Sequence, residues 1–208
     1  MAVASVFAGM LLFAAVHSVL ASLRFKDRLR ASMGERAYHG TYRLIYNLVS
    51  LVTIAPILLI TWRSGQVIWE LESNSRWFFD ILQVIGILGV LIALFQIDLV
   101  QFSGLSQIIA LWRGADLPLP REGIQTRGVY CLVRHPLYFF SLLALWPVYP
   151  MTDTLFAFNV MTTLYFAIGS YFEERRMLHL FGEDYAAYQK RVRWIFPAPR
   201  LSPYASSV

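Results

Sequence analysis

Apolar residues run in blocks along this chain, and the block lengths carry information before any motif does. Ala2–Leu23, Tyr42–Trp62, Trp77–Phe102 and Leu155–Phe172 are each long enough, or nearly so, to cross a membrane; a helix needs about 20 residues to span roughly 30 Å of hydrocarbon. A fifth block, Leu137–Val148, is short and covers about 18 Å at about 1.5 Å per residue. It begins at Pro136 and meets Pro147 and Pro150; proline suits a first helical turn and interrupts later ones. The pattern predicts an all-α integral membrane helical bundle of about five spans, in which Pro136–Tyr149 and Leu155–Phe172 form a short helical hairpin turned at Pro150–Asp153. Beyond it, Leu178, Phe181, Tyr185, Tyr188 and Val192 recur at spacings of 3 and 4, with Glu183, Asp184, Lys190 and Arg191 elsewhere. This is a C-terminal amphipathic helix that lies in the interface or folds back over the mouth of the hairpin.

Charge gives the blocks a direction. Of 18 Lys and Arg residues, 16 fall in three alternate segments, Arg24–Arg43, Arg113–Arg134 and the tail from Arg175 to Arg200; Arg63 and Arg76 are the two on the other side. The positive-inside rule then places the N-terminus outside and the C-terminus in the cytoplasm. Sorting this clean accounts for the net charge of +5 and leaves no separate basic patch for nucleic acid. Composition agrees: 57% of residues are hydrophobic and 15% charged, with mean hydropathy +0.52, against about 25% charged in soluble domains. The first block carries no Lys or Arg before Arg24, so it lacks the basic start of a signal peptide and reads as a retained anchor. One cysteine, Cys131, excludes an internal disulfide and a cysteine zinc cluster, and is expected to be a small packing residue. Trp62, Trp77, Trp146 and Trp194 fall near predicted boundaries, as an interfacial belt would.

Candidate chemistry concentrates in residues 123–197. A polar turn, Gly123–Tyr130, leads into Arg134-His135-Pro136-Leu137-Tyr138. Pro136 starts the hairpin's first helix, His135 stands at its N-cap, and the helix terminus together with Arg134 favours an anionic group such as a carboxylate or phosphate. The plainer alternative is that Arg134 and His135 face lipid phosphates. The second helix is expected to run out at Phe172 into Glu173-Glu174-Arg175-Arg176. Adjacent acids at a helix C-terminus repel each other and the helix dipole, so Arg134, a bound cation, or local pairing with Arg175, Arg176 or Lys190 should offset them. A basic helix start, a carboxylate pair and an aromatic lid would together suit S-adenosylmethionine, which has a sulfonium, an α-amino group, a carboxylate and an adenine.

The motif G-V-Y-x-x-x-R-H-P-x-Y from Gly128, followed after the hairpin by E-E-x-x-x-L-x-x-F-G-E-D-Y-x-x-Y-x-x-x-V and Pro197, resembles the isoprenylcysteine carboxyl methyltransferase superfamily of membrane enzymes over about the last 40% of the chain. His17-Ser18, Tyr42-Arg43-Leu44-Ile45-Tyr46-Asn47 and Phe102-Ser103-Gly104-Leu105-Ser106-Gln107 are similar to a subgroup holding the bacterial methanethiol S-methyltransferases and the membrane proteins of nitric oxide reductase clusters. The resemblance implies an N-terminal transmembrane bundle over residues 1–122 and a methyltransferase-like hairpin with its covering helix over 123–208, in a bacterial inner membrane. It implies an S-adenosylmethionine site lined by Gly128, Tyr130, Arg134, His135, Pro136, Tyr138, Glu173 and Glu174 and covered by Tyr185 and Tyr188. Arg134, His135 and Glu174 are the catalytic candidates, Arg134 to stabilise a thiolate and His135 or Glu174 to take the proton of a thiol whose ordinary pKa is about 8.5. Phe140 stands where many members have glycine, so it is expected to narrow the pocket against a prenyl chain and favour a small lipophilic thiol. An isoprenylcysteine carboxylate, a phospholipid amine, an NADPH-dependent sterol-type reduction and a non-enzymatic assembly or sensing role are the alternatives. His17 is expected to pack against a neighbouring helix, and Asp98 either to reach the site or to turn to water. The spacing of His17, His39, His135 and His179 offers no metal site.

Overall fold

The computed structural model describes residues 1–71, 75–120 and 123–197; Arg121 and Arg200, counted above among the basic residues, lie outside them. In chain order the elements are α1 (Ala2–Ala21), α2 (Leu23–Met33), α3 (Glu35–Arg63), β1 (Val67–Trp69), α4 (Arg76–Phe95), α5 (Leu99–Ser103), α6 (Leu105–Trp112), α7 (Pro136–Leu145), β2 (Met151–Thr152) and α8 (Asp153–Arg191). A 3-10 turn occupies Gly128–Cys131. Among the described residues four helices, α1, α3, α4 and α8, are long and apolar enough to cross a membrane, and α7 is a shorter apolar helix. Large side chains such as Leu12, Leu51, Val52, Leu88, Leu164 and Ile168 stand exposed around them, as they would toward lipid tails. The protein is an integral membrane helical bundle.

Three boundaries differ from the block reading. The third block breaks at Phe95, and Asp98 caps the short α5 by accepting from the Gln101 N–H at 2.8 Å, so this acid is used by the turn itself. The basic Arg24–Arg43 segment is almost wholly helical, split between α2 and the first turns of α3. The apolar run ending at Phe172 does not end its helix: α8 continues to Arg191, and Glu173 and Glu174 sit within it. Their backbone groups are therefore hydrogen-bonded along the helix, and no exposed C-terminal dipole faces them.

The alternation of segments between two ends is visible in the packing. β1 pairs antiparallel with β2 through Val67↔Thr152 and Trp69↔Met151, and Asp153 accepts from the Gln66 N–H at 3.0 Å. The α3–α4 connection and the hairpin turn therefore share one end. At the other end Arg43 donates to the Gln101 carbonyl at 3.1 Å, and Asn47 donates to those of Phe102 and Ser103 at 2.9 Å each. The centre of the bundle is an apolar cluster of Val6 and Met10 from α1, Ile57 from α3, and Ala157 and Phe158 from α8.

The short helix α7 needs two special supports. It lies close against α4 because Gly86 and Gly89 present no side chain: a Cβ at Gly86 would stand 2.4 Å from the Ala144 backbone nitrogen, and one at Gly89 would stand 2.1 Å from the Phe140 ring. Phe140 thus fills the groove over Gly89 and is buried there, 7% exposed; it packs on α4, and the expected narrowing of a pocket by this ring does not follow. Ending a helix at membrane depth also leaves carbonyls without partners where no water is at hand. Gln83 of α4 donates to the Ala144 carbonyl at 3.2 Å, and the fully buried Asn159 of α8 donates to that of Leu145 at 2.9 Å.

Gly86→Ala is expected to lower the melting temperature in detergent, because backbone cannot yield as a side chain does. Asn159→Leu is expected to cost about 1–3 kcal/mol by leaving a carbonyl unpaired. Leu164→Ala, on the exposed surface of α8, should change little by comparison; fluorescence or circular-dichroism melts of the three variants check the order.

Candidate active site

Local backbone rules place the first residues. The residue before a proline is pushed out of the helical region, and His135 sits at φ −120°, ψ 64° as the N-cap of α7 with Pro136 in the first turn. Upstream, Val133 is completely buried and bridges Arg193 of the tail in parallel fashion. The Arg134 N–H donates to the carbonyls of Arg193 and Trp194 at 2.8 and 3.0 Å, and the His135 N–H to that of Trp194 at 3.2 Å. The tail reaches this position because α8 breaks at Gly182, whose φ of 53° with ψ −124° lies where side chains are disfavoured. Helix then resumes in a new direction, burying Tyr185 and Tyr188 at 3% and 2% exposure. The Tyr188 hydroxyl donates to the Tyr130 carbonyl at 2.7 Å. The tail therefore folds back over the start of the hairpin. The expected apolar stripe is divided by the break, and Leu178, on the near side of it, is exposed.

One ion pair joins these pieces. Arg134 binds Glu174 through two parallel hydrogen bonds, Nε to Oε1 at 2.6 Å and Nη2 to Oε2 at 2.8 Å. Its Nη1 donates to the carbonyls of Gln189 and Val192 at 3.2 and 2.6 Å. Glu174 also accepts from the Gln189 amide at 2.6 Å and the Tyr185 hydroxyl at 3.3 Å, and its Oε1 lies 3.0 Å from His135 Nε2. With about four lone-pair positions available, this carboxylate is fully engaged. Glu174 lies past the apolar run that ends at Phe172. Burial disfavours its charge, but the hydrogen bonds from His135 and Arg134 and the Arg134 charge outweigh that and hold its pKa down at about 2. Burial and then the Glu174 charge push the Tyr185 phenol upward, so it stays protonated and keeps its role as donor.

Glu173 is different. It accepts one hydrogen bond, from the Tyr138 hydroxyl at 2.9 Å, and lies 3.7 Å from His135 Nδ1, with its side chain 35% exposed against 12% for Glu174. The His135 ring stacks flat on Tyr138, with 2° between the planes, and Tyr138 stacks on Phe166. The arrangement offers a carboxylate with free capacity beside an aromatic stack, held by a saturated ion pair, at the uncapped start of α7.

The structure thus gathers Arg134, His135, Pro136, Tyr138, Glu173, Glu174, Tyr185 and Tyr188, with Tyr130 joined through its carbonyl. Gly128 faces Gln96: a Cβ there would stand 2.2 Å from the Gln96 amide nitrogen. Gln96 in turn accepts from the Val129 N–H at 3.2 Å, and its carbonyl accepts from Gln125 at 2.7 Å, which sets the turn before the hairpin. Gln189 was not among the candidates; an uncharged residue on an amphipathic helix gives no signal of its target. Cys131 is exposed, its thiol on the Thr126 carbonyl at 3.0 Å, and does not serve as packing.

A family model described as NnrU protein matches residues 5–149. The chain belongs to the NnrU family. Curated relatives of this NnrU-family chain include the methanethiol S-methyltransferase of Pseudomonas deceptionensis, 32% identical over 92% of this chain and 71% of that protein. Methanethiol S-methyltransferase 1 of Bradyrhizobium diazoefficiens is 32% identical over 90% and 64%, and the methanethiol S-methyltransferase of Mycobacterium tuberculosis is 31% identical over 90% and 75%. The matched NnrU region contains Arg134, His135 and Tyr138 and stops short of Glu173 and Glu174. No solved structure matches the chain.

The depressed Glu174 carboxyl makes a signed prediction. A group whose pKa is lower folded than unfolded stabilises the fold above its ordinary value and loses that contribution as pH falls toward the folded one. Glu174→Gln should melt below wild type at pH 7, and the gap should close between about pH 4.5 and about 2. Detergent melts over a pH series check this; a gap that stays constant into acid would contradict it.

Proposed function

We propose that this protein is a membrane methyltransferase that moves a methyl group from S-adenosylmethionine to a small lipophilic thiol. The observation that carries the reading is the set of methanethiol S-methyltransferases, about 30% identical over about 90% of this chain, an extent that takes in both halves of the site from Arg134 to Glu174. Methanethiol itself is the first substrate to try. The basic-rich end of the bundle is the cytoplasmic one, in a bacterial inner membrane, and the thiol enters from the bilayer between apolar helices, where it concentrates by partition.

The residues suit that cofactor. Glu173, with capacity left on its carboxylate, would receive the amino group, the Tyr138–His135 stack would flank it, and Tyr185 and Tyr188 on the returning helix would cover it. Bound there, S-adenosylmethionine supplies a methyl group on a positively charged sulfur. The protein has to align the sulfur nucleophile with that methyl and exclude water. Arg134 and Glu174 serve as positioning residues in this reading: their hydrogen bonds are committed to each other, to His135 and to the tail, so Glu174 is ill placed to take a proton and Arg134 is already neutralised. His135 is the member of the proposed catalytic set that faces both acids.

The test is transfer of labelled methyl from S-adenosylmethionine to methanethiol and longer alkyl thiols in membranes carrying the protein, with prenylcysteine and phosphatidylethanolamine in parallel. Methylated thiol is expected. Thiols left unmethylated while one of the other two is methylated would defeat the substrate assignment, and no transfer to any would defeat the enzyme reading. Glu173→Gln should weaken S-adenosylmethionine binding by about tenfold or more, the effect of losing one charged contact, while its melting temperature falls less than that of Glu174→Gln. Calorimetry on both variants separates binding from stability.

A further inference from the structure

A second polar cluster lies inside the bundle, on the face of α8 turned toward α1 and α3. His17 of α1 uses both ring nitrogens: Nδ1 is 3.0 Å from the Ser50 hydroxyl, and Nε2 meets the Tyr46 hydroxyl in a short hydrogen bond. Ser50 decides the proton positions. Its single hydroxyl hydrogen is donated to the Tyr46 carbonyl at 2.8 Å, so toward His17 it can only accept. His17 therefore carries its proton on Nδ1 and presents a bare Nε2, to which the Tyr46 phenol donates. The imidazole is held by rings on several sides, stacked with Phe13 and edge-on to Tyr165. This is the order of a nucleophile–base–orienter relay, built from Tyr46, His17 and Ser50, and polar groups at this depth face the bundle interior at a cost that marks them as functional candidates.

The relay adjoins the site described above. Tyr165 of α8 meets the His17 ring edge-on at 6.0 Å. Tyr165 also connects through Phe166 to the Tyr138–His135 stack. The aromatic chain Tyr165–Phe166–Tyr138 thus links the two clusters, and Glu173 accepts from its far end at the Tyr138 hydroxyl.

We propose that Tyr46 is the proton acceptor for the incoming thiol and that His17, oriented by Ser50, holds the proton. This rests on the methyltransferase reading and assigns the nucleophile's half of its site. The thiol S–H bond breaks as its proton passes to the Tyr46 oxygen, while the phenol's own proton moves to His17 Nε2. The sulfur electron pair left behind forms the new bond to the methyl carbon as the bond from that carbon to the sulfonium breaks. The thiol becomes a thioether and the donor a neutral sulfide. The proton on His17 returns through Tyr46 and leaves to solvent with product release.

The decisive comparison is between an alkanethiol and an aromatic thiol, which is already largely ionised at neutral pH and needs no acceptor. Tyr46→Phe keeps the ring that packs on Tyr42 and His17. It should lower kcat for methanethiol by about 100-fold or more, the usual effect of removing a positioned base, and lower that for thiophenol by less than about tenfold, with S-adenosylmethionine affinity unchanged. Ser50→Ala should show the same selectivity with a smaller loss, and it guards against a misfolded Tyr46→Phe protein, which a detergent melt would reveal. Equal losses for the two thiols, or none for either, in whichever variant folds, would overturn this assignment while leaving the methyltransferase reading intact. A wild type that methylates neither thiol overturns this assignment together with the thiol substrate it rests on.

Discussion

The bidentate pair between Arg134 and Glu174 is the interaction on which the rest of this end of the molecule depends. Arg134 belongs to the segment that starts the half-length helix, Glu174 to the long helix that crosses beside it, and the remaining donors of Arg134 hold the tail carbonyls. A guanidinium fork suits this because its donors lie in one plane and reach carboxylate and carbonyl oxygens at once. A partly buried ion pair of this kind is worth little if any partner is left unsatisfied. Gln189, Tyr185 and His135 complete the carboxylate's shell, while its neighbour Glu173 accepts a hydrogen bond from Tyr138.

A helix of only 10 residues packed beside full-length spans is the second constraint. Only glycines on α4 let α7 approach as closely as it does, and only side-chain amides from two neighbouring helices reach its last carbonyls. These supports fix where α7 starts as well as where it ends, and the start carries His135 and Tyr138. Packing at the far end of the hairpin is thus coupled to geometry at the site through one short rigid helix.

In the proposed reaction the two polar clusters would divide the transfer between donor and nucleophile. The one at the helix start is charged, partly exposed and closed by a returning helix, as suits a polar donor arriving from water. The one among α1, α3 and α8 is built from a phenol, an imidazole and a hydroxyl set among aromatic rings, and in the proposed reaction it would serve the thiol.

Much of this was legible in the residues themselves. Block lengths and the sorting of Lys and Arg determine the number of long spans and which segments share an end, because the bilayer sets a length and penalises charge independently of tertiary contacts. Pro136 determines where α7 begins and what His135 must do before it, and the spacing of the tail aromatics determines that Tyr185 and Tyr188 share one face of the returning helix. Other points only the tertiary structure decided. That α8 continues through Glu173 and Glu174, that Phe140 faces Gly89, and that the tail turns at Gly182 depend on which surfaces meet, since a helical period does not say which neighbour a face will find. The difference between the two adjacent acids is of the same kind: identical in type and context along the chain, they point about 100° apart around a helix, so one meets Arg134 and the other meets Tyr138. The proton positions on His17 likewise follow from Ser50, which is 33 residues away in sequence and adjacent only because α1 and α3 pack together.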